Sequence, residues 1–208
     1  MHSSFEFGTF ANYSPRGTNE FSTRSRNICG KIKGGEIALI ERVIPFLKDT
    51  KAAILVPFLN PNVVLIPTPR SAPLVEGSLW PSKLIADILV SNGYGAEVRP
   101  ILIRTTAVKK SSTSPSKERP LIDEHYSSME VQTDLIAPTQ ITLIDDVLTQ
   151  GRTTYAGAMR LKEAFPQARI RVFAIFRTLG TIPEIDTVFD PTVGSIIGYP
   201  SGKSFRDP

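Results

Sequence analysis

The chain has 208 residues, of which 41% are hydrophobic and 21% are charged, with a formal net charge of +4. This composition predicts a folded protein with a buried core, and the length suits one domain. No apolar run approaches the roughly 18–20 residues that cross a bilayer. The start, M-H-S-S-F-E, lacks the pattern of a secretion signal. We therefore expect a cytoplasmic protein with no membrane partner.

Cysteine and histidine are scarce, with one cysteine, Cys29, and two histidines, His2 and His125. A single cysteine excludes an internal disulfide and a cysteine-based zinc site. Two histidines are too few for a histidine-rich metal centre. The sequence therefore argues against a metal centre built from cysteine or histidine ligands.

Positive charge is concentrated in two segments. Residues 1–33 contain five basic and two acidic residues, and residues 104–119 contain five basic residues and one acidic residue. Concentrated positive charge attracts anions, either small phosphates or nucleic acid. Two solvated surface segments would give the same pattern, so charge alone leaves both interpretations open.

Strands and helices are predicted to alternate after a polar, turn-rich stretch over residues 1–33. This alternation indicates an α/β fold with a mostly parallel central sheet that helices cover on both faces. A loop over residues 105–118 is expected to be mobile, because it is rich in Ser, Thr and Lys and has almost nothing to bury. The predicted elements are a helix from Gly35 that Pro45 kinks or shortens, a strand over Val63–Pro67, a helix from Ser78 to Leu89, a strand over Val98–Ile103, a strand over Ile141–Ile144, a helix over Thr153–Phe165 and a strand over Arg169–Arg177.

Three polar segments follow predicted strands: T-P-R-S after the first, the basic loop after the second, and D-D-V-L-T-Q-G-R-T-T after the third. Ligands of such sheets bind beyond the carboxyl ends of the strands. The turn at 149–153 leads into a helix, so its backbone N–H groups point outward and the helix dipole favours an anion there. Gly151 allows a tight turn, and Thr149, Thr153 and Thr154 can add hydroxyl donors. This turn is predicted to bind a phosphate.

The paired carboxylates Asp145 and Asp146 would repel a phosphate and need another partner. Two vicinal ribose hydroxyls are suitable donors, and Mg²⁺ could be held nearby through the sugar oxygens and water. A helix cap at the acids and an ordinary turn at Gly151 are the simpler alternatives for each element alone. Their combination between an apolar strand and an amphipathic helix favours a phosphoribosyl site.

The stretch I-T-L-I-D-D-V-L-T-Q-G-R-T resembles the phosphoribosyl-pyrophosphate signature of type I phosphoribosyltransferases. I-P-T-P at 66–69, L-I-R-T-T at 102–106 and K-E-R-P-L at 117–121 are similar to the competence protein F (ComF) branch of that family. The resemblance covers roughly 63–177. It implies a single type I phosphoribosyltransferase-like domain over 1–208, with a core at about 35–177 and a small variable hood from 1–34 and 178–208.

The resemblance also implies roles for individual residues. Asp145 and Asp146 would bind the ribose hydroxyls, directly or through Mg²⁺, which they would contact through ribose or water. The basic loop, with Lys109 and Lys110, would close over the leaving pyrophosphate and exclude water from the transition state. The 5-phosphate would be held by Thr149, Gln150, Gly151, Arg152 and Thr153, and the pyrophosphate by the loop at 67–71, which includes Thr68, Pro69, Arg70 and Ser71.

The chain departs from the family pattern in several places. Gln150 stands where a threonine is usual, and Thr149 where 6-oxopurine enzymes have an aspartate, so a 6-oxopurine acceptor is disfavoured. The Cys-x-x-Cys segment and the R-G-F-N-Q-like stretch of competence-type relatives are missing. Trp80 is expected to pack against the sheet, and His125 to be a solvated helix residue.

Three functions are compatible with these features. The first is Mg²⁺-dependent transfer of phosphoribosyl from 5-phosphoribosyl 1-pyrophosphate to an unidentified nitrogen nucleophile, within nucleotide metabolism. The second is a non-catalytic phosphoribosyl-ligand sensor, coupled to nucleic acid through the basic segments, although no recognition helix or aromatic RNA motif is present. The third is a phosphoribosyl hydrolase. Nucleic acid and a second copy of the chain, as a homodimer, stay open as partners.

Overall fold

A computed structural model describes residues 4–109, 119–132, 137–180 and 184–207. Its helices are α1 (Glu20–Lys33), α2 (Ile37–Val43), α3 (Pro81–Ser91), α4 (Ile122–Ser127) and α5 (Arg152–Ala164), with 3₁₀ turns at Ile44–Lys48 and Thr50–Leu55. Its strands are β1 (Ser4–Tyr13), β2 (Val64–Pro67), β3 (Glu97–Val98), β4 (Leu102–Arg104), β5 (Met129–Val131), β6 (Gln140–Leu148), β7 (Arg169–Thr178), β8 (Phe189–Gly198) and β9 (Ser204–Asp207).

Seven strands form the main sheet in the order β3-β2-β6-β7-β1-β8-β9. The first five of these run parallel, whereas β8 and β9 are antiparallel additions at one edge. Strands β4 and β5 form a separate antiparallel pair. Because Pro67 pairs with Ile144, the segments that follow β2 and β6 begin side by side at the carboxyl edge of the sheet.

Two hydrophobic cores lie on opposite faces of the sheet, because successive side chains of a strand point in opposite directions. On β7, Phe173 and Ile175 join the core formed with α1, α2 and α3, while Val172 and Ala174 join the core formed with α4 and α5. The prediction of an α/β fold with a mostly parallel sheet and helices on both faces is confirmed.

The prediction for residues 1–33 was wrong in its secondary structure. Instead of a turn-rich hood segment, Ser4–Tyr13 forms strand β1 inside the sheet, between β7 and β8, and Glu20–Lys33 forms helix α1. Phe7 and Phe10 are almost fully buried on β1. Aromatic side chains at these positions gain enough from burial to hold the strand in the interior despite its polar neighbours.

The second predicted strand, over Val98–Ile103, is divided. Val98 ends β3 in the main sheet, whereas Leu102 begins β4 in the separate pair. Pro100 lies between them and has no N–H to donate to a ladder, so one continuous strand is disfavoured.

The C-terminal part of the chain, for which the sequence predicted no element, supplies β8 and β9. No helix in the described part of the chain is both long and apolar enough to cross a membrane.

Candidate functional site

A cavity of about 770 Å³ opens at the carboxyl edge of the sheet. It gathers segments that are far apart in the sequence, from the ends of β1, β2, β6 and β7 and from β9. Lys110 and the rest of the basic loop to residue 118 lie outside the described residues. The sequence-predicted site residues that line the cavity are Thr68, Pro69, Arg70, Ser71, Lys109, Asp145, Asp146, Thr149, Gln150, Gly151, Arg152 and Thr153.

The turn at 149–153 is shaped by the left-handed glycine at its centre. Gly151 caps the helix with φ of +80°, a conformation that side chains with a Cβ rarely adopt. A Cβ at this position would also lie 2.9 Å from Cγ2 of Ile196. Glycine is therefore required here on two grounds. The first N–H groups of α5 lack helical acceptors, and the residues that carry them line the cavity.

The polar side chains around this turn divide into two groups. Thr154 is buried and donates to the carbonyl of Gly151 at 3.0 Å, so it stabilises the turn. Arg152 donates through Nη1 to the carbonyls of Arg119 and Pro120, at 3.1 and 3.2 Å. Thr153 lines the cavity, with its hydroxyl 3.3 Å from Nε2 of His125. Thr153 is therefore better placed than Thr154 to meet a ligand.

The acid pair lies on an extension of β6 beyond the apolar run. Asp145 is paired with Ala174 of β7, which keeps the backbone extended through both acids. Burial and the charge of Asp146 raise the pKa of the Asp145 carboxyl well above its ordinary value. The two acids are therefore not equivalent, and a hydrogen-bond donor or a cation is needed to stabilise the charge of both.

Lys33 supplies such a cation, which the sequence did not predict. Its Nζ lies 2.9 Å from Oδ2 of Asp146, and it lines the same cavity. Burial alone lowers the pKa of the Lys33 ammonium, but the charge and hydrogen bond of Asp146 outweigh burial and raise it above the ordinary value. Nothing in the sequence connects position 33 to position 146, because only the folded sheet brings α1 against β6.

The T-P-R-S loop is fixed from two sides. The carbonyl of Thr68 accepts hydrogen bonds from Nε1 of Trp80 at 2.8 Å and from the hydroxyl of Ser82 at 2.7 Å. Trp80 is buried beside the loop and is thereby tied to its backbone. On the other side, Nε of Arg104 donates to the carbonyl of Arg70 at 2.9 Å. These hydrogen bonds fix the loop through its backbone carbonyls, and the loop residues Arg70 and Ser71 line the cavity.

Arg104 and His125 form a buried polar wall, and the expectation that His125 is solvated was wrong. His125 is 2% exposed, since α4 packs this face against α5. Burial, with help from Arg104 and Arg152, lowers the pKa of His125 to about 4, so the ring is neutral at pH 7. Its Nδ1 is buried without a hydrogen-bond partner among the described residues. Burial also lowers the pKa of Arg104 to about 10, which leaves it charged at neutral pH.

The C-terminal strand β9 closes the cavity from the side of the sheet edge. Nη1 of Arg206 donates to the carbonyl of Leu148 at 2.8 Å, and Nη2 donates to the carbonyl of Thr178 at 2.7 Å. The hydroxyl of Ser204 donates to the carbonyl of Gln150 at 2.6 Å. These bonds tie β9 to the ends of β6 and β7, so this strand helps to position the turn at 149–153.

The lining is strongly cationic. Only two carboxylates, Asp145 and Asp146, line it among the described residues, against a larger set of basic side chains. Such a cavity concentrates anions and focuses their field in a concave space. The basic side chains are Lys33, Arg70, Arg104, Lys109, Arg119, Arg152 and Arg206.

A resident Mg²⁺ coordinated directly by both aspartates does not fit this arrangement. The Lys33 ammonium already lies against Asp146. Within the described ranges, no group of three or more His, Cys, Asp or Glu residues could hold a metal ion. The expected indirect contact, through ribose or water, stays a prediction.

No protein-family model matches the chain, and no curated protein matches it either. Solved structures of adenine phosphoribosyltransferases are among its distant structural matches, all with low TM-scores. The Leishmania tarentolae structure is 16% identical at a TM-score of 0.30, over 81% of this chain and 83% of that one. The Leishmania donovani structure is 14% identical at 0.32, over 86% and 84%. The Trypanosoma brucei structure, a complex with AMP, pyrophosphate and ribose-5-phosphate, is 14% identical at 0.30, over 81% and 76%. These similarities are too distant to define a chemistry, which must be argued from the cavity itself.

Proposed function

We propose that the cavity binds a phosphoribosyl group, with the 5-phosphate on the turn at 149–153 and the ribose hydroxyls on Asp145 and Asp146. The observation that carries this proposal is that the acid pair and the turn at 149–153 line the same cavity. The acids lie within β6, and the turn at 149–153 begins three residues after Asp146 and leads into α5. The carboxylates can accept hydrogen bonds from two vicinal ribose hydroxyls, and the backbone N–H groups of the turn can donate to a phosphate.

The reaction that fits best is transfer from 5-phosphoribosyl 1-pyrophosphate. The bond between C1 of the ribose and the pyrophosphate oxygen breaks, and pyrophosphate leaves with the electron pair. A nitrogen nucleophile forms the new bond to C1 and loses its proton to solvent. Arg70 and Lys109 line the cavity and would neutralise the charge that develops on the leaving group. A 6-oxopurine acceptor is disfavoured, because Thr149 offers no carboxylate to such a base.

Calorimetric titration with ribose 5-phosphate and 5-phosphoribosyl 1-pyrophosphate tests the binding site. We expect Asp145→Asn combined with Asp146→Asn to abolish binding while circular dichroism shows a folded protein. Lys83 and Asp87 form an exposed pair on α3, outside the cavity lining, so Asp87→Asn is a matched control that should bind normally. Undiminished binding by the double variant would refute the assignment of the ribose site.

A screen for pyrophosphate release tests the reaction. Release that requires an added nitrogenous acceptor is the result expected for a phosphoribosyltransferase. Release without an acceptor would instead favour hydrolysis. Binding with no release under any condition would favour a sensor, and salt-sensitive binding of nucleic acid that changes with the ligand would support that role. Membership of the competence protein F branch stays a prediction.

A further inference from the structure

We propose that Lys33 supplies the positive charge that a divalent cation would otherwise supply beside the acid pair. The phosphoribosyl ligand then binds without a bound metal ion, in contrast to the Mg²⁺ dependence predicted from the sequence. This inference rests on the proposed function, because it concerns the same ribose-binding acids. It assigns a positioning role to Lys33, in helix α1, which the sequence did not connect to the site.

The geometry places the ammonium between the protein and the ligand space. Nζ of Lys33 lies 2.9 Å from Oδ2 of Asp146, and the side chains are 40% and 17% exposed. Both residues line the cavity. The ammonium thus contacts one acid and still faces the cavity, where its other N–H groups can donate to a ribose oxygen.

The packing of helix α1 fixes the position of the Lys33 backbone. Its buried residues, Ser22, Ser25, Cys29 and Ile32, follow helical spacing and form the face that packs on the protein. Lys33 follows Cys29 by one helical turn, in the last turn of the helix, where the dipole favours a positive charge. Gly34 ends the helix directly after it. The lysine therefore does not sit on a mobile loop.

A divalent cation at the same place would meet an unfavourable field. It would be close to the Lys33 ammonium, and like charges a few ångströms apart repel strongly in a partly buried site. The acid pair would have to give up Lys33 to receive the metal. Burial raises the pKa of the neighbouring Cys29 thiol to about 12, so this group adds no negative charge that would compensate.

Lys33→Met and Lys31→Met form a matched pair of variants for the test. Lys31 lies on the same last turn, but it is exposed and pairs with Glu36 at 3.4 Å. Ribose 5-phosphate is the probe, because it lacks the pyrophosphate that itself binds Mg²⁺. Affinity is measured by calorimetry in EDTA and in millimolar Mg²⁺. Lys33→Arg keeps the charge and serves as the rescue variant.

We expect Mg²⁺ to change the affinity of the natural protein by less than about threefold, whereas Lys33→Met loses about tenfold or more in EDTA. Mg²⁺ should restore part of that loss, and Lys33→Arg and Lys31→Met should bind in EDTA. Without ligand, Mn²⁺ followed by electron paramagnetic resonance should bind more tightly to Lys33→Met than to the natural protein.

An absolute requirement of the natural protein for Mg²⁺ would overturn the role of Lys33 and leave the proposed function intact. Equal affinities of Lys33→Met and the natural protein in EDTA would overturn it as well. Failure of the folded natural protein to bind either ribose 5-phosphate or 5-phosphoribosyl 1-pyrophosphate, with or without Mg²⁺, would overturn the proposed function itself and the inference with it.

Discussion

Gly151 determines the backbone conformation of the turn that we assign to the phosphate. Gly151→Ala would force an alanine into a φ of +80° and bring its Cβ to 2.9 Å from Ile196. We expect the free energy of unfolding to fall by about 1–2 kcal/mol, with weaker binding of ribose 5-phosphate. Urea denaturation and calorimetry measure the two effects.

Gly30→Ala is the matched control, because a Cβ at Gly30 would meet nothing within 4 Å and the residue lies within α1. This substitution should stabilise the protein by about 0.5–1 kcal/mol. If Gly151→Ala were as stable as the natural protein, the turn would not depend on the left-handed conformation.

Arg177 illustrates a buried charge with one main partner. Its Nη2 donates to Oδ2 of Asp190 at 2.7 Å, and its side chain is 9% exposed. Asp190→Ala would leave the guanidinium buried without a carboxylate, which we expect to lower the free energy of unfolding by about 2 kcal/mol. Asp186→Ala, at an exposed position of the same segment, should have almost no effect in the same denaturation experiment. Equal losses in the two variants would show that the ion pair does not stabilise the fold.

Among the elements, the segment between β7 and β8 is hydrogen-bonded to the start of α1 through Glu184. Its carboxylate accepts from the backbone N–H of Thr18 at 2.8 Å and of Asn19 at 2.9 Å, and from the hydroxyls of Thr18 and Ser22. The backbone hydrogen bonds of Thr18 and Asn19 lower the pKa of Glu184 to about 2 from the ordinary 4.5. The position of α1, and of Lys33 at its end, therefore depends in part on an ionised carboxylate.

The lowered pKa gives this contact a definite pH dependence. Because the folded pKa lies below the unfolded one, the stabilisation is complete above about pH 4.5 and is lost as the pH falls through about 2. Glu184→Gln should therefore melt at a lower temperature than the natural protein at pH 6, and the difference should shrink towards zero near pH 2. A difference in Tm that is constant over this range would contradict an ionised contact.

Elements with strong local patterns were predictable from the sequence. The apolar runs gave β2, β6 and β7, and the amphipathic pattern after Gly151 gave α5, each to within a few residues except at the end of β6. That strand continues to Leu148 because pairing with β7 keeps the polar residues extended. Strand β1 was missed because the average polarity of residues 1–33 hid the aromatic spacing of Phe5, Phe7 and Phe10.

At the scale of the whole molecule, the sheet order decides which residues share the cavity. The acid pair and the T-P-R-S loop lie close together because β2 and β6 are parallel neighbours in the sheet. Ligand sites of such sheets lie at the carboxyl ends of the strands, so this proximity could be expected from the sequence. The roles of Lys33 and Arg206 could not be predicted. No local pattern shows that α1 ends near Asp146 or that a side chain of β9 reaches the carbonyl of Leu148. The acid pair and the glycine turn were therefore predictable from the sequence. Other basic residues that surround them in the cavity, such as Lys33 and Arg206, could be identified only from the folded structure.

In the binding mode that we propose, one cavity holds a phosphate on the turn at 149–153 and ribose hydroxyls on the acid pair. A crystal structure of the protein with ribose 5-phosphate tests it most directly. We expect the phosphate within hydrogen-bond distance of backbone N–H groups from Gln150 to Thr153, and the ribose hydroxyls within that distance of Asp145 and Asp146. A phosphate bound elsewhere in the cavity, with the acid pair still paired only to Lys33, would contradict this binding mode.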